Sequence, residues 1–233
     1  MAHHDEAVGY RNPSKRRLVS ANFSFVHRFE PAEGTSSHPI LLLHGTGGNE
    51  DDLLTLGRTI APHSALLSPR GKVTENGMPR FFRRVALGVF DEDDVRQRAN
   101  ELADFIVEAS KFYGIAAPTA VGYSNGANVA AAVLLLRPEV LVGAILLRAT
   151  LPLVHPAPMD LTGKPVLILS GATDPIIRAD GAERLASTLE QYGADIRRRV
   201  LPVGHELTQA DITIARQWLD ERNADKAAIT SAR

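Results

Sequence analysis

The chain contains no cysteine, which removes disulfides, cysteine-based zinc sites and a thiol nucleophile together. Net charge is nearly absent as well. Lys and Arg number 26 against 27 Asp and Glu, a formal charge of -1. Such a balance gives no electrostatic reason to expect nucleic acid or an acidic membrane surface as a partner. Long hydrophobic runs are missing too. The longest, Val129–Leu136 and Val140–Leu147, fall far short of the roughly 20 residues a membrane-spanning helix needs. Met1 to Leu18 is polar and lacks the apolar core of a secretory signal. Together these absences predict a soluble, cytoplasmic protein with no membrane span and no nucleic-acid partner. Oligomerisation as a homodimer stays open.

What is present suits one sizeable α/β domain: 233 residues, 44% hydrophobic and 23% charged. Phe23, Phe25 and His27 alternate with Ser24, Val26 and Arg28 as in a half-buried strand. Ile40–Leu43 is a short all-apolar run, as expected of a strand buried on both faces of a parallel sheet. Glu50, Asp51 and Asp52 then open a predicted helix to about Ile60, acids at its positive end. Ala65–Ser68 reads as a strand, and 69–84 resists assignment. From Asp91 to Phe112 apolar residues recur at helical spacing, and Gly114 ends the helix. Further strands are predicted at Thr119–Gly122, Val142–Leu147, Pro165–Ser170 and Ile196–Leu201, the last an edge strand. Helices are predicted at Ala127–Leu136, Ala179–Tyr192 and Thr208–Arg222. This alternation predicts a single doubly wound, mostly parallel sheet flanked by helices. The domain spans 21–222, between a flexible lead-in at 1–20 and a frayed tail at 223–233.

The chemistry centres on Gly122-Tyr123-Ser124-Asn125-Gly126. This G-x-S-x-G pattern, with a strand before it and a helix after it, is that of a nucleophile elbow. A serine on so sharp a turn has a strained backbone, and side chains two residues either way would collide. Ser124 then sits at a helix N-terminus, where unpaired N–H groups favour developing negative charge. A serine hydroxyl needs a base, and the base needs an orienting group. Asp174 follows one predicted strand and His205 the next, on the same sheet edge as Ser124 and in the order Ser, Asp, His. Ser124, Asp174 and His205 are therefore the candidate catalytic residues, with Asp180 and Glu206 weaker rivals for the acid. Oxyanion donors are expected from the backbone of Asn125 and of Thr46, in His44-Gly45-Thr46-Gly47-Gly48. That loop lacks a Walker lysine and does not match G-x-G-x-x-G, against a phosphate loop. His44 is read as bracing it. No metal motif survives: His205-Glu206-Leu207-Thr208-Gln209 begins like H-E-x-x-H but ends in Gln. His3-His4 and the basic run Lys15-Arg16-Arg17 suit a solvated tail.

With these stretches in place, Leu43–Leu53, Gly122–Asn128, Gly171–Ile176 and Gly204-His205 together resemble the small phospholipase/carboxylesterase family. Those α/β-hydrolases are related to acyl-protein thioesterases and, more distantly, to dienelactone hydrolases. The resemblance spans about Ile40 to Leu219 and implies a serine esterase acting on carboxylic esters without cofactor. Dienelactone hydrolases use a cysteine nucleophile, which this chain lacks. A thioesterase or lysophospholipase on the same residues is the alternative, and a non-catalytic small-ligand receptor on this fold the more distant one.

Substrate contacts are less determined. Arg148 to Lys164 is too short for a lid domain, so an open cleft is expected. Its walls are assigned to Tyr123, Leu151, Pro152 and Leu153, and to Phe81 and Phe82 unless these are core residues instead. Arg70 and Arg148 stand at strand ends, where they would either read an anionic ester or form ordinary salt bridges.

Overall fold

The computed structural model describes residues 23–34, 38–86 and 88–231. Its centre is a seven-stranded sheet whose strands, from edge to edge, start at His27, Leu66, Ile40, Thr119, Gly143, Pro165 and Asp195. Strand β1 (His27–Glu30) lies at one edge, and β2 (Ile40–Leu43) in the interior. Helix α1 (Leu54–Ile60) leads to β3 (Leu66–Pro69). Two small hairpins follow, β4 (Val73–Glu75) with β5 (Met78–Arg80) and β6 (Arg84–Ala86) with β7 (Val89–Phe90). Then come α2 (Glu92–Tyr113), β8 (Thr119–Tyr123), α3 (Asn125–Leu136) and β9 (Gly143–Leu147). The chain closes with β10 (Pro165–Gly171), α4 (Ala179–Gln191), β11 (Asp195–Leu201) and α5 (Gln209–Ser231). Only β1 runs antiparallel to its neighbour in the main sheet.

The apolar runs explain the layering. Successive side chains of a strand point to opposite faces, so an all-apolar strand feeds two cores at once. In β2, Leu41 and Leu43 join the core under α2, α3 and α4, whereas Ile40 and Leu42 join that under α1 and α5. β10 repeats the pattern: Val166 and Ile168 face one way, Leu167 and Leu169 the other. Because every central strand is covered twice, helices must pack on both faces, and the parallel strands all end at one edge. The helix stops are local. Asp91 caps α2 by accepting from the Asp94 N–H, and Gly114 ends it at φ 67, a left-handed turn that glycine adopts without penalty.

Four expectations shift. The first strand is His27–Glu30, later than the alternation suggested, because its ladder with β3 begins at the pair His27 and Pro69, where β3 ends. Helix α1 begins at Leu54 rather than at Glu50. The acids before it are claimed by arginines remote in sequence: Glu50 by Arg70 and Asp51 by Arg28. The unassigned stretch after β3 holds the hairpin β4–β5, and β6–β7 follows it. Helix α5 runs on to Ser231, past the expected end at Arg222, since no glycine or proline interrupts 223–231. His3-His4 and Lys15-Arg16-Arg17 lie outside the described residues. No helix among the described residues is long and apolar enough to cross a membrane.

Candidate active site

Ser124 joins β8 to α3 with φ 54 and ψ -114, a region that costs a non-glycine residue on the order of 1–3 kcal/mol. Two backbone bonds hold it there. Its N–H donates to Leu147 O at 2.8 Å, and its carbonyl accepts from the Asn128 N–H at 2.9 Å. The flanking glycines are a steric requirement. A Cβ on Gly126 would stand 2.0 Å from Leu43 O, and one on Gly122 2.5 Å from Gly126 O. The elbow therefore packs directly on the end of β2.

Asp174 follows β10 and His205 follows β11, and the fold brings both to Ser124. His205 Nε2 lies 3.0 Å from Ser124 Oγ, and His205 Nδ1 2.8 Å from Asp174 Oδ2. A carboxylate only accepts, so the Nδ1 proton sits on the Asp174 side and Nε2 presents a lone pair to the hydroxyl. The Asp174 side chain is 1% exposed and that of His205 17%. The other oxygen, Asp174 Oδ1, accepts from the N–H groups of Ile176 and Ile177 at 2.8 and 2.9 Å, which fixes the carboxylate plane. Neither rival acid is so placed. Asp180 pairs with Arg178 at the surface, and Glu206 accepts from the Gly204 N–H.

The loop carrying His205 is held from beneath by Arg148, whose side chain is fully buried. Its Nη1 and Nη2 meet Asp211 Oδ1 and Oδ2 at 2.8 and 2.9 Å. The same guanidinium donates to Gly204 O at 3.0 Å and to Glu206 O at 2.8 Å, gripping the carbonyls on either side of His205. Tyr123 adds a third tether, its hydroxyl donating to His205 O at 3.0 Å. Burial raises the Tyr123 pKa, keeping that donor protonated.

The loop after β2 approaches from the other side. His44 is buried, with Nδ1 donating to Gly45 O at 2.7 Å and Nε2 accepting from the Gly71 N–H at 2.9 Å. Burial, the dominant cause, holds its pKa below the ordinary 6.5, consistent with a neutral ring that uses both nitrogens. Thr46 at the tip of this loop and Asn125 at the first position of α3 line one cavity with Ser124 and His205. The opening N–H groups of a helix have no partner within it, and Asn125 is the first residue of α3. The Asn125 side chain looks away, its Oδ1 accepting from the Phe81 N–H at 2.7 Å.

This cavity, about 250 Å³, is also lined by Arg80, Arg84, Gly88, Phe90, Tyr123, Asn128, Ile176 and Ile177. Of the expected substrate contacts, Tyr123 is on the wall, and Arg70, Phe81, Phe82, Leu151, Pro152 and Leu153 are not. Phe81, Phe82 and Leu153 are core residues, and Leu151 packs against that core. Arg70 is occupied by Glu50, with Nη2 2.7 Å from Oε1, and Arg148 by Asp211. Among the wall residues that sequence reasoning missed, Arg80, Arg84 and Phe90 come from the hairpins, Asn128 from α3, and Ile176 and Ile177 from the loop after β10. The one legible signal of the hairpins is Asn76-Gly77, with φ 51 and 79, the dipeptide of a tight hairpin turn. A second cavity of about 260 Å³, lined by Ile40, Ile60, Thr119 and Trp218, lies at the opposite ends of the strands and touches none of these residues. Among the described residues no group of His, Asp and Glu is arranged to hold a metal ion.

Comparison with known proteins agrees with this architecture. Residues 27–223 match the Phospholipase/Carboxylesterase family. MhqD of Bacillus subtilis strain 168, which carries the name of a hydrolase, is 47% identical over 191 residues, 81% of this chain and 96% of that protein. A Bacillus cereus carboxylesterase structure superposes with a TM-score of 0.84 at 42% identity, covering 86% of this chain and 95% of the other. A carboxylesterase from Mesorhizobium loti gives 0.82 at 33% identity, covering 88% and 98%. A nucleophile-elbow sequence on a doubly wound sheet, matched along nearly the whole domain, leaves one assignment: the chain belongs to the phospholipase/carboxylesterase family of α/β-hydrolases and is a serine-hydrolase-type carboxylic ester hydrolase.

Proposed function

We propose that the protein hydrolyses small to medium carboxylic esters through an acyl-enzyme formed on Ser124. His205 takes the Ser124 proton as Oγ attacks the ester carbonyl, and the resulting oxyanion is received by the N–H groups of Asn125 and Thr46. The protonated imidazole then gives its proton to the departing alkoxide. Water, deprotonated by the same imidazole, attacks the acyl-enzyme and releases the carboxylic acid and free serine. Asp174 holds the tautomer and stabilises the imidazolium.

The observation that carries this reading is the unbroken relay from Ser124 Oγ through His205 to Asp174, with contacts of 3.0 and 2.8 Å. Supporting it are the strained serine backbone, since strain persists only where the surroundings impose it, and the cavity that opens on that serine. Its volume, about 250 Å³, suits an ester of modest size. The test is hydrolysis of a p-nitrophenyl ester series, acetate through decanoate, by wild type and Ser124→Ala. Turnover by wild type with near-complete loss in the variant is expected, and the chain-length optimum sizes the acyl pocket. Equal rates in the two proteins would exclude Ser124 as nucleophile.

A further inference from the structure

The wall of the cavity has an imbalance that ester hydrolysis alone does not use. Its lining includes two arginines, Arg80 and Arg84, and no carboxylate. Behind them stands one acid, Glu75 of β4. Arg84 Nε donates to Glu75 Oε1 at 2.9 Å, and Arg80 Nη1 approaches Oε2 at 3.0 Å. Arg80 is buried, 4% exposed, and also donates to Phe82 O, so it is committed to holding the hairpins together. Arg84 is different. It lines the cavity, is 28% exposed, and among the described residues only its Nε has a protein acceptor, which leaves both terminal nitrogens without one. One carboxylate facing two guanidinium groups leaves one positive charge uncompensated beside the nucleophile. A brace between hairpins would need only one of the two.

We propose that the site selects carboxylic esters bearing a second, anionic carboxylate, received by the outer edge of Arg84 with Arg80 and Glu75 fixing its position. The proposal rests on the reading of Ser124 as the nucleophile that places the reacting ester in this cavity. A guanidinium fork matches a carboxylate in two parallel hydrogen bonds. Arg84 is pre-set for this because its Nε is already tied to Glu75, so little further freedom is lost on binding. Arg70 and Arg148, the arginines that stand at strand ends, are closed to this role by Glu50 and Asp211.

The test compares kcat/KM within matched pairs by pH-stat: monoethyl adipate against ethyl hexanoate, and 5-acetoxypentanoate against pentyl acetate, so that the charge lies on the acyl or on the alcohol side. Wild type is expected to favour the anionic member of at least one pair by about ten- to a hundredfold, the range for a hydrogen bond to a charged group. In Arg84→Gln that ratio falls toward unity, chiefly through KM, and Arg84→Glu inverts it. Wild-type indifference to charge in both pairs, or a ratio that survives Arg84→Gln, would overturn the proposal. Calorimetry on Ser124→Ala with monoethyl adipate and with 5-acetoxypentanoate separates specificity from chemistry. Should wild type hydrolyse none of the four esters, the reading of Ser124 fails. The anion site then stands if either ester binds and Ser124→Ala/Arg84→Gln abolishes that binding, and falls if neither binds.

Discussion

Replacing Arg148 with Met should separate two things that its guanidinium does at once. The side chain is fully buried against Asp211, itself 1% exposed, so the variant leaves a carboxylate stranded in the core. Removing one member of a buried ion pair costs about 3–5 kcal/mol, a large part of the 5–15 kcal/mol typical of a folded domain. With a urea slope near 3 kcal/mol/M for a chain of this size, the unfolding midpoint should drop by about 1–1.7 M. The Gly204 and Glu206 carbonyls also lose their donors, so the His205 loop loosens. Misplacement on the scale of 1 Å costs on the order of 10²-fold in rate, and kcat/KM should fall by about that factor. Arg148→Met/Asp211→Leu distinguishes the effects. Removing both charges should restore more than half of the lost midpoint, because apolar replacement of a buried pair is close to neutral. Activity should stay low, because the two carbonyls are still without donors. An Arg148→Met midpoint within about 0.3 M of wild type would refute the buried-charge argument. Full activity in the double variant would refute the clamp on His205.

Two further outcomes follow from local geometry. Gly126→Ala places a Cβ 2.0 Å from Leu43 O, backbone against backbone, so the protein should be inactive and poorly folded; a soluble, active variant by circular dichroism and ester assay would show that the elbow can move off β2. His44 supplies a pH dependence. Its folded pKa lies below the ordinary 6.5 because of burial, so the unfolded chain binds the proton first. The stability it contributes is then complete above pH 6.5 and is lost as pH falls toward the folded value, with a slope of at most about 1.4 kcal/mol per pH unit. In His44→Gln, whose amide oxygen can still accept from Gly71, urea midpoints should depend less on pH between 5 and 7. An unchanged dependence would contradict the assignment.

The parts of this molecule that were legible in its sequence share a physical cause. Strands such as Ile40–Leu43 and Pro165–Gly171 announce themselves because burial on two faces demands continuous apolar runs. Ser124 and Asp174 could be aligned because each follows such a run, His205 because it follows an alternating edge strand, and parallel strands end at one edge. Thr46 and Asn125 came from the same logic. The hairpins β4–β5 and β6–β7 were opaque because strands of two or three residues carry no period, and Phe81 and Phe82 cannot be sorted into wall or core by local pattern. Arg70 and Arg148 were left between ester contact and salt bridge for another reason. Their partners, Glu50 and Asp211, lie far away in sequence, and nothing local reveals that a charge is already neutralised. The same long-range pairing took Glu50 and Asp51 away from the helix start they resemble.

The central claim is that one serine, Ser124, is activated by His205 and Asp174. It is tested most directly by reaction with a fluorophosphonate and mass analysis of the intact and digested protein. The account predicts a single adduct on wild type, located at Ser124, none on Ser124→Ala, and strongly slowed labelling in His205→Ala. An adduct on another residue, no adduct on wild type, or labelling of His205→Ala at the wild-type rate would contradict it.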